Sequence, residues 1–141
     1  MVKHKAYIAG KLGDSSERER LELIDGICKS LGIKTFLPHR DVGIAKNFKE
    51  AGKIFRADII EGFKDCTMVI ASLDGLHIGA GTAWELGYAY AKKIPSFGIK
   101  TDESVEDAFE YLSSIIVGSM PIVSSLKDLE KVLKKHISLK S

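Results

Sequence analysis

The chain has 141 residues, with 21 Lys and Arg against 19 Asp and Glu, and 45% of its residues are hydrophobic. This composition is that of a globular protein and excludes a disordered tail, a collagen-like fibre and a disulfide scaffold. A chain of this length buries about two-thirds of its unfolded surface, so it can build a core without metals or disulfides. We therefore predict one domain over residues 1–141.

Charge and hydropathy argue against two classes of partner. The net charge of +2 is spread along the chain, and the dense cationic stretch from Lys131 to His136 lies on an amphipathic helix pattern. We therefore predict no nucleic-acid polymer as partner. The uncharged stretch from Leu112 to Leu126 is shorter than the about 20 apolar residues of a membrane span. The first apolar run is also too short for a signal peptide, so we expect a cytoplasmic protein with no membrane partner.

Strand-like and helix-like patterns alternate along the chain. The predicted strands cover residues 6–9, 34–37, 67–73, 95–99 and 122–123. The predicted helices cover about residues 16–31, 49–64, 82–93, 105–116 and 125–137, and residues 39–47 form a polar loop. Repeated strand-helix units require parallel strands joined by right-handed crossovers. The predicted fold is a three-layer α/β/α sandwich with a five-stranded parallel sheet in the flavodoxin-like order 2-1-3-4-5.

Two loops lie where such a sheet binds its ligands. Ligands of open parallel sheets bind at the carboxyl ends of the strands, beside the point where strand order reverses, here between strands one and three. The loops at this point begin at Gly10 and at Asp74, and the second contains the glycines of Gly79-Ala80-Gly81. Neither loop has the spacing of a P-loop or of GxGxxG, which argues against ordinary ATP and NAD sites. The histidines and cysteines show no metal-ligand spacing.

Glu85 is the first candidate catalytic residue. With Thr82 as N-cap of the helix after strand three, Glu85 lies in the first turn, where the helix dipole favours an ionised carboxylate. Such a carboxylate can act as a nucleophile toward an anomeric carbon. The spacing Thr82-x-x-Glu85 is also that of a capping box, in which the glutamate hydrogen-bonds to the N-cap amide. The spacing alone leaves both interpretations open.

Asp58 is the second candidate, because it interrupts the apolar face of the helix before strand three. A partly buried acid at this place could protonate a leaving base. The alternative is a solvated aspartate that pairs with Arg56 or Lys64. Trp84 and Tyr88 are interpreted as packing residues rather than as stacking surfaces for a base.

Four segments together resemble the nucleoside 2-deoxyribosyltransferase family. They are AYIAG at 6–10, VIASLDG at 69–75, GTAWELGYAYA at 81–91 and GIKTD at 98–102. The resemblance covers almost the whole chain in the family's order. It implies the flavodoxin-like sheet and chemistry without a metal or an organic cofactor. It also implies a homodimer or higher homo-oligomer, in which a neighbouring subunit helps to close the site.

The resemblance also implies how the reaction proceeds. Glu85 matches the family's nucleophile, which attacks C1′ of a 2′-deoxynucleoside, expels the base and holds the sugar as a covalent ester. A second base or water then takes the sugar. Asp58 is a provisional match to the family's helix acid, because its spacing to strand three is one residue longer than usual. In strict register Ile59 occupies that position.

The remaining matches are substrate-binding residues. Tyr7 and Gly10 match residues at the sugar site, and Asp74 and Gly75 lie in the loop that borders sugar and base. Two further matches are Gly81, which opens the GTAWE motif, and Ser113, whose segment reaches into a neighbour's active site.

Two departures from the family pattern widen the choice of function. Many members carry an aspartate just before Gly81, where this chain has Ile78-Gly79-Ala80. Lys11 stands where transferases commonly have proline, and a cation there, together with Ser113, favours a nucleotide substrate. The predicted function is transfer of a 2-deoxyribosyl group between nucleobases, with a small nucleoside or nucleotide as ligand. The alternatives are hydrolysis of 2′-deoxynucleoside 5′-monophosphates and, because of the missing acid, a non-catalytic nucleotide-binding module.

Overall fold

A five-stranded parallel sheet forms the centre of the molecule. The computed structural model describes residues 3–140, so the outermost positions of the predicted domain lie outside it. The strands are β1 (Lys5–Ala9), β2 (Lys34–Phe36), β3 (Met68–Ser72), β4 (Ser96–Ile99) and β5 (Ile122–Val123). Their order is β2-β1-β3-β4-β5, and all four pairings are parallel. The predicted flavodoxin-like order is therefore confirmed.

Helices connect the strands across both faces of the sheet. They are α1 (Ser15–Ser30), α2 (Pro38–Asp41), α3 (Ala51–Phe55), α4 (Ala80–Ala91), α5 (Phe109–Ser119) and α6 (Leu126–Leu139). A 3-10 turn at Phe48–Glu50 precedes α3, and a π-helical segment at Arg56–Glu61 follows it. The short helix α2 lies in the segment predicted as loop, because Pro38 starts a helical turn well. Among these helices, none is both long and apolar enough to cross a membrane.

Alternation along the strands divides the core into two layers. Ile8 and Ile70 pack with the buried side chains of α1 and α6. Tyr7 and Val69 point to the opposite face, where they pack with the buried side chains of α4 and α5. Tyr7 is fully buried. The pleat of β1 therefore directs the Tyr7 side chain toward the layer that contains Glu85.

Gly10 allows α1 to pack closely against the sheet at the end of β1. A Cβ at Gly10 would lie 2.6 Å from Cδ2 of Leu21 and 3.3 Å from Cβ of Ser72. Leu21 is fully buried, so it has little room to move. Close packing against Leu21 is therefore sufficient to explain why a glycine occupies position 10.

The Gly10→Ala variant is expected to lower the free energy of unfolding by about 1–3 kcal/mol, because the added methyl overpacks this contact. Urea unfolding followed by circular dichroism measures the change. Gly26→Ala is the control, since a Cβ there meets nothing within 4 Å. That substitution should raise stability by about 0.5–1 kcal/mol through its helix propensity. An unchanged midpoint for Gly10→Ala would contradict this view of the packing.

Candidate active site

Glu85 lies in the second turn of α4, one turn later than predicted. The helix begins at Ala80, and Gly79 is its N-cap. The Gly79 carbonyl accepts a hydrogen bond from the Ala83 amide at 3.1 Å, so Thr82 is already inside the helix. The interpretation of Thr82 and Glu85 as a capping box is therefore wrong, because the extended backbone of Gly79 caps the helix and Thr82 is buried. The Glu85 carboxylate is not used for capping.

The hydroxyl of Tyr7 donates a hydrogen bond to Oε2 of Glu85. Stacking holds the phenol ring in place, with centroid distances of 3.9 Å to Phe63 and 5.4 Å to Phe36. Burial raises the pKa of Tyr7, and the negative charge of Glu85 raises it further. The phenol therefore stays protonated and remains a donor to the carboxylate.

Glu85 and Asp58 are both weaker acids than usual. Burial raises the pKa of Glu85 to about 7; the bond from Tyr7 lowers it, and the charge of Asp58 raises it. Burial also raises the pKa of Asp58 to about 6. Oδ1 of Asp58 is buried and has no hydrogen-bond partner in the described part of the chain. Two carboxyl groups that titrate near neutral pH can divide the roles of charge and proton carrier between them.

The two acids line one groove of about 500 Å³, a size typical of sites for small organic ligands. Its other lining residues are apolar: Ala45, Ala51, Ile54, Phe55, Ile59, Ala80, Gly81 and Trp84. The groove therefore combines two carboxyl groups with apolar walls.

A π-helical turn positions Asp58. Asp58 lies within Arg56–Glu61, where the Gly62 amide donates to the Ala57 carbonyl at 3.0 Å, five residues back. Such a turn contains one residue more than an α-helical turn and is frequent at functional sites. Ile59 is only 5% exposed and belongs to the core. Within the wide turn, Ile59 packs into the core while Asp58 lines the groove.

Lys11 lies over the loop that leads into α4. A Cβ at Gly75 would lie 3.2 Å from Nζ of Lys11, and one at Gly79 would lie 3.4 Å from its Cγ. No hydrogen bond or ion pair is recorded for Lys11 within residues 3–140. The structure therefore brings Lys11 and Gly75 together beside the start of α4, whose residue Gly81 lines the groove.

Asp74 does not line the groove of Glu85. Its carboxylate accepts hydrogen bonds from the amide and the hydroxyl of Thr101, at 2.5 and 2.6 Å. It also lies 3.7 Å from Nε of Arg20. These contacts tie the end of β3 to the end of β4 and to α1, so Asp74 holds the frame of the site.

Lys100, which the sequence did not identify as part of the site, is 1% exposed at the end of β4. Its Nζ donates to the carbonyls of Leu73 and Gly75, both at 3.1 Å, and to Asp102 at 2.8 Å. The Gly75 amide in turn donates to Asp102 at 2.7 Å. The sequence feature that could have pointed to Lys100 is a lysine directly after an apolar strand, in the segment GIKTD at 98–102. Lys100 fixes the loop between β3 and α4.

Ser113 lies away from the groove, at a kink in α5. Its φ of 72° and ψ of 142° are not helical, and φ values in this region are uncommon for residues other than glycine. The side chain is exposed, and its hydroxyl accepts a bond from the Ile115 amide at 3.2 Å. Its role toward a neighbouring subunit stays a prediction.

Fold and site together define a class of protein. A buried tyrosine on β1 and two carboxyl groups meet beside the reversal of strand order between β1 and β3, where flavodoxin-like sheets bind small ligands. No group of three His, Cys, Asp or Glu side chains suited to a metal ion occurs in the described chain. Residues 6–116 match the sequence profile described as nucleoside 2-deoxyribosyltransferase. The chain belongs to this family of enzymes.

The solved structures that are similar to this chain include the three described next, whereas no curated protein matches it. A conserved protein from Enterococcus faecalis V583 is 28% identical with a TM-score of 0.78, over 96% of this chain and 99% of that one. A 2-deoxyribosyltransferase from Bacillus psychrosaccharolyticus is 20% identical with a TM-score of 0.71, over 89% and 90%. A CMP N-glycosidase from Clostridium botulinum is 16% identical with a TM-score of 0.55, over 92% and 98%. The last two show the shared fold.

The Tyr7→Phe variant is expected to raise the pKa of Glu85 above about 7, because it removes the hydrogen bond that stabilises the carboxylate. Carbon-13 NMR of protein labelled at glutamate carboxyl groups measures this titration. Tyr88→Phe removes a hydroxyl from the same layer without touching Glu85, so it should leave the titration unchanged. A fall in the pKa of Glu85 in Tyr7→Phe would contradict the role of this bond.

Proposed function

We propose that this protein cleaves the N-glycosidic bond of a 2′-deoxynucleoside and transfers the 2-deoxyribosyl group to another nucleobase, through an ester on Glu85. The observation that carries the proposal is the Glu85 carboxylate, held by Tyr7 and lining a groove at the ligand edge of the sheet. Membership of the nucleoside 2-deoxyribosyltransferase family supports the class of reaction.

The two carboxyl groups suit the two halves of this reaction. A Glu85 oxygen attacks C1′ as the bond from C1′ to the base nitrogen breaks, and the base leaves with the electron pair. Asp58, whose pKa is raised by burial and whose Oδ1 has no hydrogen-bond partner among the described residues, donates the proton that the leaving base needs, while Glu85 carries the negative charge. The nitrogen of a second base then attacks C1′, the ester bond breaks, and the displaced proton returns to Asp58.

Tyr7 acts on Glu85 rather than on the substrate in this scheme. Its hydroxyl is buried, remains protonated and points at the attacking carboxylate. The bond fixes the orientation of Glu85 and favours its charged form, which is the form that attacks. Tyr7 is therefore a positioning residue.

The Glu85→Gln variant should lose at least about a thousandfold in turnover, because an amide cannot form the ester. The assay incubates the protein with a 2′-deoxynucleoside and a foreign base and separates the free bases by chromatography. Acid-quenched wild-type protein should also gain the mass of a 2-deoxyribosyl group. Glu130→Gln, which changes a glutamate on α6, is the control and should retain full activity.

Two outcomes of this assay would reject the proposal. Full activity in Glu85→Gln would exclude Glu85 as nucleophile. Binding without base release by the wild-type chain would identify a nucleotide-binding module instead, the reading favoured by the missing acid before Gly81.

A second candidate function, hydrolysis of 2′-deoxynucleoside 5′-monophosphates, is favoured by Lys11. Lys11 forms no ion pair with the described residues and lies over the loop at the amino end of α4, where the helix dipole also favours a negative charge. A 5′-phosphate bound there would be neutralised from both sides. In this reaction water, rather than a second base, attacks the ester on Glu85.

The Lys11→Met variant separates the two candidate functions. It should raise KM for 2′-deoxynucleoside 5′-monophosphates by about tenfold or more, the usual loss for one hydrogen bond to a charged group. KM for unphosphorylated deoxynucleosides should stay the same, as should both values in the control Lys131→Met. Equal changes for the two substrates would remove the support for a phosphate site. Base-release kinetics, measured in water and with an added base, give KM for both substrates in both variants.

We also propose that a second copy of the chain covers the face formed by α4 and α5. Tyr90 is 70% exposed and Ile115 is 77% exposed on either side of a recess of about 490 Å³. The residues that line this recess carry no charge. Light scattering should give a dimer or larger assembly for wild type and a smaller one for Ile115→Lys. Leu139→Lys, which adds the same charge on α6, is the control; a monomeric wild type would reject the assembly.

A further inference from the structure

Exposed aromatic side chains gather at the groove of Glu85. Trp84 is 50% exposed and Phe55 is 45% exposed, and both line the groove. Phe48 is 94% exposed on the 3-10 turn that precedes α3. The sequence-based interpretation of Trp84 as a packing residue is therefore incomplete, since half of its surface meets solvent at the candidate active site.

Neighbouring rings fix the plane of the Trp84 indole. Tyr88 stacks on it with a centroid distance of 5.6 Å and an interplanar angle of 13°. Phe55 meets it edge to face, at 5.5 Å and 84°. An exposed aromatic ring that is already oriented loses little conformational freedom when a flat ligand stacks on it.

The groove offers few side chains that could read the edge of a base. Asp58 and Glu85 are its polar lining residues, and the proposed reaction uses both at the bond that breaks. The other lining side chains are apolar. Stacking and apolar contact therefore remain as the means of holding the base, and stacking tolerates any base because every base has a π-face.

We infer that Trp84, together with Phe55, forms the surface on which the nucleobase stacks, and that the site selects bases by stacking area, with purines favoured over pyrimidines. The inference rests on the proposed function, because the base must lie next to the carbon that Glu85 attacks. Trp84 directly precedes Glu85 on α4, and both line the same groove.

The chain itself provides the probe, since it contains a single tryptophan. Adenine and cytosine, as purine and pyrimidine, are titrated into the wild-type protein while Trp84 emission is recorded. Free tryptophan amide in the same base solutions corrects for absorbed light. Adenine should quench the emission, with half-saturation at a lower concentration than cytosine. If adenine serves as an acceptor in the base-exchange assay but leaves the emission unchanged at saturation, the inference is overturned and the proposed function stands.

Variants test the same surface without fluorescence. Trp84→Leu should weaken adenine binding, measured by calorimetry, by about tenfold to a hundredfold, the range found for loss of one stacking contact. Trp84→Phe should recover most of that affinity, and kcat should change much less than KM for the base. Phe109→Leu, an exposed aromatic on α5, is the control and should bind as wild type does.

The remaining outcomes are also decisive. Unchanged preference for adenine over cytosine in Trp84→Leu would overturn the stacking surface, whatever the catalytic rate. Absence of base release from every deoxynucleoside and monophosphate would instead reject the proposed function, and the inference with it.

Discussion

The hydrogen bond from Tyr7 to Glu85 connects the two halves of the candidate site. It crosses from strand β1, which lies between β2 and β3 in the sheet, to helix α4, which follows β3. The bond exists because the pleat of β1 turns Tyr7 away from α1 and into the layer of α4 and α5. Phe36 and Phe63 then hold the phenol ring in one plane. Sheet geometry, aromatic packing and the chemistry of a buried carboxylate therefore depend on the same contact.

Burial raises the pKa values of both carboxyl groups in the groove. Glu85 and Asp58 line the same groove, and burial opposes the ionisation of each. A fully solvated pair would be ionised at neutral pH and would have no proton to offer. The aromatic and aliphatic walls thus shape the acid strength of the site as well as its volume. The loop before α4 needs a firm anchor in such a site, and Asp74 and Lys100 supply it from outside the groove.

Most of the fold was predictable from the sequence, but the fine placement of the site was not. Alternating strand and helix patterns determine a parallel sheet, and the strand order places Glu85 at the ligand edge. The helix starts at Ala80 because Gly79 has an extended backbone. The pattern Thr82-x-x-Glu85 indicates a later start and does not reveal this. The sequence could not show the contacts of Asp74, because its partner Thr101 lies after β4, far along the chain. Lys100 was missed because side-chain polarity does not reveal which carbonyls a buried lysine will meet.

The wide turn at Asp58 adjusts the winding of this helix. In a regular α-helix one additional residue rotates everything before it by about 100°. Here a single wide turn, closed by the hydrogen bond from the Gly62 amide to the Ala57 carbonyl, contains the additional residue. The helix therefore tolerates a change in length by local rewinding. A difference of one residue between relatives along this stretch need not mean that the acid has been lost.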